Sequence, residues 1–103
     1  MKYAIPTDDG ATLSSVFGRA ASFAIFASEA AEPEIKLNGG AASEHGAGTG
    51  AAAFLAERGV EVVVCPELGP KAQAALSSAG IRVAAAKAGL PLREAVAAAR
   101  ASR

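Results

Sequence analysis

The sequence predicts an α/β protein in which a five-stranded mixed sheet lies between helices on both faces, a three-layer sandwich. The first 38 residues contain short strand-like runs separated by turns, whereas the second half alternates helical segments with buried strands. In that second half, ERGVEVVV (57–64) and SAGIRVAA (78–85) repeat one pattern, in which a helix ends at a glycine and a strand follows. At this length we expect a single domain over residues 1–103.

The first half predicts three strands that are connected as hairpins. Lys2–Pro6 is a short apolar run that ends at a proline. Ala21–Ser28 alternates, so its two phenylalanines face opposite sides of the sheet. Glu32–Asn38 carries charges and a proline, which favour an edge position. A Gly/Ala/Ser-rich loop then runs to Gly50, and loops of this length often have a function.

The second half predicts three helices and two parallel strands. The first helix covers 49–59, with Thr49 as its N-cap and Gly59 as its C-terminal stop. The β-branched run Val60–Cys65 is typical of a buried parallel strand. A helix within 66–80, a strand at 81–86 and a helix within 90–103 follow. Right-handed crossovers then give the strand order 3-2-1-4-5, with strands 1, 4 and 5 parallel and strand 2 antiparallel.

Composition and charge restrict the function classes. Ten basic residues balance ten acidic ones, and no basic stripe predicts binding to nucleic acid or to acidic lipids. No apolar run is long enough to span a bilayer, and the N-terminus lacks the apolar segment of a signal peptide. The only cysteine excludes an internal disulfide and favours the cytoplasm. We therefore expect neither a nucleic-acid nor a membrane partner.

Several residues that are distant in sequence are expected at one rim of the sheet. In open α/β sheets, ligands bind beyond the carboxyl ends of the strands, where the connections diverge. Glycines there let backbone N–H groups approach a ligand, and a helix N-terminus favours an anion. The candidate ligand-binding residues are Thr7, Asp8, Phe17, Gly18, Arg19, Gly46, Gly48, Thr49 and Gly69. The candidate metal ligands are His45 and Cys65, an imidazole and a soft thiolate.

Each of these features also has a purely structural interpretation. The Gly/Ala/Ser loop matches the composition of a flexible linker. A single histidine is common on protein surfaces, and a cysteine that ends a buried strand is commonly a small apolar residue. Phe17 fits a buried turn position beside a solvated Arg19. The run GAGTG is not followed by Gly-Lys-Ser/Thr, so it is not a P-loop.

Five blocks of the sequence resemble the dinitrogenase iron-molybdenum cofactor biosynthesis domains of the NifX and NifB C-terminal type. These blocks are AIPTDDG (4–10), VFGRAASFAIF (16–26), HGAGTGAAAFLAERGVEVVVC (45–65), LGPKAQAALSSAGIRV (68–83) and LREAVAAA (92–99). Val16 stands where members of this family often have a histidine before Phe-Gly-Arg. His45 matches the histidine that commonly precedes the glycine-rich loop.

The resemblance implies a ribonuclease H-like fold and a role in carrying iron–sulfur or iron–molybdenum cluster precursors. It thus implies a non-catalytic binding domain for such a cluster or a related anionic cofactor, with a protein partner in cluster assembly. One alternative is a regulatory or interaction domain without a cofactor. Another is a nuclease or phosphotransferase, which needs several carboxylates converging on two metal ions. The first strand contains no acidic residue, which weakens that alternative.

Overall fold

The computed structural model describes residues 1–28, 30–39 and 46–101. Within these residues the chain forms a sheet and three helices, in the order predicted. The strands are β1 (Tyr3–Thr7), β2 (Ser22–Phe26), β3 (Glu34–Leu37), β4 (Val62–Cys65) and β5 (Arg82–Ala85). The helices are α1 (Ala47–Glu57), α2 (Pro70–Ser78) and α3 (Leu92–Ala101). No helix in this part of the chain is long and apolar enough to cross a membrane.

The five strands form one mixed sheet in the order β3-β2-β1-β4-β5. β2 is antiparallel to β1, with Tyr3 opposite Phe26, and β3 is antiparallel to β2. β4 is parallel to β1, with Tyr3 opposite Val62, and β5 is parallel to β4. The predicted strand order and directions are therefore confirmed. β3 lies at an edge of the sheet and is exposed along its length, as its proline and charges indicate.

The sheet has an apolar core on each face. The alternation along β4 sends Val62 and Val64 to the face covered by α3, and Val63 and Cys65 to the face covered by α1 and α2. β2 divides its side chains in the same way, with Phe26 toward α3 and Phe23 toward α1 and α2. The three-layer prediction with helices on both faces is confirmed.

Helices α1 and α2 end at the predicted glycines, whereas four of the five strands are shorter than predicted and β1 is shifted by one residue. Gly59 and Gly80 adopt φ values of 73° and 76°, just after the C-caps of α1 and α2. This left-handed conformation favours glycine and ends a helix. β4 begins at Val62 rather than Val60; just before it, Glu61 donates its backbone N–H to the Lys2 carbonyl at 2.9 Å.

Candidate functional site

The two helices on one face of the sheet begin at the same edge of it. α1 leads into β4 and α2 follows β4, so both N-termini lie at the carboxyl end of that strand. The first turns of the two helices are in contact, since a Cβ on Gly48 would lie 2.9 Å from the Cβ of Ala72. The loop that follows β1 leaves the sheet at the same edge. This is the place where open α/β sheets bind ligands.

A cavity of about 300 Å³ opens at this edge, and we call it the rim cavity. It contains five of the residues that were predicted for ligand binding: Gly18, Arg19, Gly46, Gly48 and Thr49. Val16, Ala47 and Lys71 complete its lining. Segments from the loop after β1, from the start of α1 and from the start of α2 thus meet around one space.

Two glycines allow this close assembly. A Cβ on Gly18 would lie 2.6 Å from the backbone nitrogen of Gly48, closer than real Cβ contacts allow. A side chain at Gly48 would press on α2, as described above. The loop after β1 and the two helices therefore approach each other to backbone contact distance because these positions have no side chain.

Among the described residues, no side chain caps either helix at the rim cavity. The N-cap of α1 is Gly46, with a φ of 100°, and the N-cap of α2 is Gly69. No acidic residue lies in the first turn of either helix. The prediction that Thr49 caps α1 is wrong: the helix begins at Ala47, so Thr49 lies inside its first turn. Gly46 takes the cap position because glycine tolerates the positive φ found there.

Two cationic side chains border these uncapped helix ends. Arg19 and Lys71 are exposed and line the rim cavity. A helix N-terminus carries a partial positive charge and free N–H donors, so the cations add to a field of the same sign. In a chain whose formal charges sum to zero, this is a local concentration of positive potential. The arrangement suits an anion.

Thr7 and Asp8 hold the loop after β1 and are absent from the lining of the rim cavity. The Asp8 carboxylate accepts hydrogen bonds from the Ser14 hydroxyl at 2.7 Å and from the Ala21 backbone N–H at 3.0 Å. Thr7 is buried, and its hydroxyl accepts the Gly10 N–H at 2.9 Å. The backbone N–H groups of Ala11 and Thr12 hold the pKa of the Asp9 carboxyl well below its usual range.

Phe17, Cys65 and Gly69 do not line the rim cavity. The Phe17 ring is buried, with its centroid 5.6 Å from that of Phe23. Cys65 is fully buried, and desolvation raises the pKa of its thiol to about 12, so it is a neutral thiol at neutral pH. Gly69 is the N-cap of α2. His45 lies outside the described residues, so its predicted metal-binding role stays a prediction.

The described residues offer donors for an anion rather than ligands for a metal ion. Among residues 1–28, 30–39 and 46–101, no three His, Cys, Asp or Glu side chains are grouped closely enough to hold a metal ion. The sequence interpretation missed Lys71, although a signal was present. A lysine directly after the helix-starting Pro70 places a positive charge at the positive end of the helix dipole, which is unfavourable, and such a local conflict often marks a functional position.

The fold and the rim cavity define a small α/β domain with a cationic site at the carboxyl edge of its sheet. Residues 1–102 match the family described as "Dinitrogenase iron-molybdenum cofactor", and the chain belongs to this family. The resemblance carried by the five sequence blocks is thereby confirmed. The chain is 37% identical over 86 residues to the uncharacterized protein MJ0580 of Methanocaldococcus jannaschii, covering 81% of this chain and 72% of that protein.

Two solved structures share both the fold and appreciable sequence identity. The apo form of the orange protein from Desulfovibrio gigas superposes with a TM-score of 0.83 at 35% identity, covering 93% of this chain and 83% of that one. A putative NifB protein from Thermotoga superposes with a TM-score of 0.78 at 30% identity, covering 99% and 89% of the two chains. Both are similar to this chain over nearly its full length.

Proposed function

We propose that this chain is a small non-catalytic carrier domain for an iron–sulfur or iron–molybdenum cluster precursor, or a related anionic cofactor, bound in the rim cavity. The observation that carries the proposal is the meeting of two uncapped helix N-termini with Arg19 and Lys71 around one space. Family membership supports the choice of cargo, because the family is described by the iron-molybdenum cofactor.

The residues that line the rim cavity can stabilise such a cargo by contacting the outer atoms of the cargo. Backbone N–H groups in the first turn of α1 would donate hydrogen bonds to peripheral sulfide or oxide atoms. The Arg19 guanidinium offers a planar set of donors, and the Lys71 ammonium acts as a point charge. Val16 is 45% exposed and supplies an apolar contact at the mouth of the cavity. Binding of this kind stabilises the negative charge of the anion and forms no bond to the metal within it.

The two predicted metal ligands differ in how well they fit this cargo. Cys65 is buried and protonated, so metal ligation would require it to become exposed and lose its proton. His45 directly precedes Gly46, the N-cap of α1. We expect His45→Ala to weaken cargo binding more than Cys65→Ala.

The same proposal covers the organisation and the setting of the protein. Residues 1–103 act as one domain of ribonuclease H-like type in the cytoplasm, where the single free Cys65 stays reduced. A carrier must receive and release its cargo, so a protein partner in cluster assembly follows from the role. The exposed rim cavity is compatible with such a transfer.

The test is retention of a coloured anion. The protein is incubated anaerobically with tetrathiomolybdate in one sample and with ferrous iron plus sulfide in another. Each sample is desalted and analysed for metal content and visible absorbance. We expect about one equivalent of bound molybdenum or of an iron cluster. If neither is retained, the cofactor-free regulatory domain is the better interpretation; cleavage of RNA or DNA would instead support the nuclease alternative.

A further inference from the structure

Asn38 holds the turn that presents Arg19 to the rim cavity. It follows β3 directly, and its backbone N–H donates to the Ala21 carbonyl at 3.0 Å, which extends the pairing of β3 with β2. Its side-chain amide donates two further hydrogen bonds, to the carbonyls of Gly18 and Ala20, each at 3.0 Å. These carbonyls belong to the residues on either side of Arg19. The two N–H groups of the amide therefore hold the backbone on both sides of Arg19.

The rest of the turn is anchored independently. Asp8 accepts the Ala21 N–H and the Ser14 hydroxyl, and the Ser14 oxygen in turn accepts the Val16 N–H at 3.1 Å. Gly18 lies against the backbone of Gly48 at the start of α1. Ala20 is 1% exposed, while Arg19 is exposed. The backbone of the turn is thus fixed, and the Arg19 side chain is the part left open to solvent.

We infer that Asn38 is a positioning residue for anion binding: it fixes the backbone on both sides of Arg19 without itself lining the rim cavity. The inference rests on the proposed function, since it concerns the same site. Fixing the backbone that carries a charged side chain before the ligand arrives reduces the ordering that binding requires, and so raises affinity. An edge strand on the far side of β2 thereby contributes to a site at the start of α1.

The experiment is a double-mutant cycle with Asn38→Leu, Arg19→Ala and the combined variant, using tetrathiomolybdate as the probe. Asn38→Leu keeps the side-chain volume and removes both donors. We expect it to weaken binding by between about twofold and tenfold, the range for ordering one flexible side chain. In the Arg19→Ala background the same substitution changes affinity by less than about twofold, because the group that it positions is gone.

A matched control separates positioning from a general loss of stability. Val96→Ala on α3 destabilises the opposite face of the sheet and leaves affinity unchanged, and thermal melts of all variants record their stability. Equal losses from Asn38→Leu in both backgrounds would overturn the inference.

Amide hydrogen exchange on the ligand-free protein tests the same inference without a ligand. We expect faster exchange at Ala20 and Ala21 in Asn38→Leu, with Val63 unchanged. Unchanged exchange at Ala20 and Ala21 would overturn the inference. A parent protein that retains no anion would contradict the proposed function, and the exchange result would still decide whether Asn38 holds the turn.

Discussion

The helices on the two faces of the sheet differ in the charge and the capping of their N-terminal turns. α3 has an acidic residue, Glu94, in its first turn and a basic residue, Arg100, in its last turn, so its own charges oppose its dipole. Its first N–H, that of Leu92, donates to the Ala11 carbonyl at 3.1 Å. α1 and α2 have neither acidic first turns nor side-chain caps, and α2 carries Lys71 there.

The loop after β1 contacts helix starts on both faces of the sheet, and its two halves do so in different ways. Its first half, around Thr12, pairs with the backbone before α3 through a bridge to Pro91 and satisfies the start of that helix. Its second half, from Val16 to Arg19, borders the starts of α1 and α2 without capping them. We interpret α3 as a helix stabilised by its own sequence, and the starts of α1 and α2 as the parts of the fold that the proposed ligand would contact.

The largest effect is expected from removing both cations at the rim cavity. Arg19→Ala with Lys71→Ala should weaken tetrathiomolybdate binding by about 100-fold, or about 3 kcal/mol, because hydrogen bonds to charged groups contribute about 1.5–3 kcal/mol each. The matched control is Arg93→Ala with Arg100→Ala on α3, which changes the net charge equally. Equilibrium titration should show the control within about twofold of the parent. Equal losses in the two double variants would mean that net charge, rather than the rim cavity, attracts the anion.

Two substitutions that lower the unfolding free energy by similar amounts, one on each face of the sheet, should differ in their effect on anion binding. Gly18→Ala places a Cβ against the Gly48 backbone, and we expect it to cost about 1–3 kcal/mol of unfolding free energy and to weaken anion binding. Val96→Ala leaves a small cavity under α3 and costs about 2 kcal/mol, with binding unchanged. Urea unfolding and anion titration of both variants measure the two quantities. Loss of binding in Val96→Ala would show that the faces are coupled.

We expect the buried thiol of Cys65 to lower the stability of the protein as the pH rises into the alkaline range. Its thiol ionises near 9 when unfolded and has a pKa of about 12 when folded, because burial disfavours the thiolate. The unfolded state therefore loses the proton first. Stability from this group is complete below pH 9 and falls as pH rises toward 12, by at most about 1.4 kcal/mol per pH unit.

Denaturant unfolding between pH 8 and pH 10.5 tests this, with Cys65→Ala as the control for other titrating groups. The parent should lose more stability with rising pH than the variant does. Parallel pH profiles would show that burial does not raise the pKa of the folded thiol, and would favour Cys65 as a ligand on the α1 and α2 face.

The smallest change in stability is expected from reversing one charge at a helix start. Lys71→Glu should stabilise α2 by about 0.5 kcal/mol, because a carboxylate near the N-terminus opposes the dipole, and yet it should weaken anion binding. Glu94→Lys on α3 should cost a similar amount and leave binding unchanged. Thermal unfolding and titration of both variants check the pair. A Lys71→Glu protein that is less stable than the parent would contradict the interpretation that Lys71 serves a ligand.

The site was predicted less completely than the fold, for a physical reason. Gly18 and Arg19 were chosen from a short motif, and Gly46 and Gly48 from a glycine-rich run, and all four line the rim cavity. Asp8 is predicted to contact the ligand because it follows a strand end; its carboxylate accepts hydrogen bonds from Ser14 and Ala21, and its ligand-binding role stays a prediction. Which polar group is already satisfied depends on contacts that local sequence does not encode.

The sequence by itself determined the strand order and directions, and the glycines that end α1 and α2. The order follows from the rule that crossovers are right-handed, and the elements follow from local patterns: the period of apolar residues, a glycine that permits positive φ after a helix, and a proline in a first turn. Only the tertiary structure decided that Lys71 lines the same cavity as Arg19, that Gly18 meets Gly48, and that Asn38 donates hydrogen bonds on both sides of Arg19. These contacts join residues far apart in the chain, and they exist only once both faces of the sheet have packed.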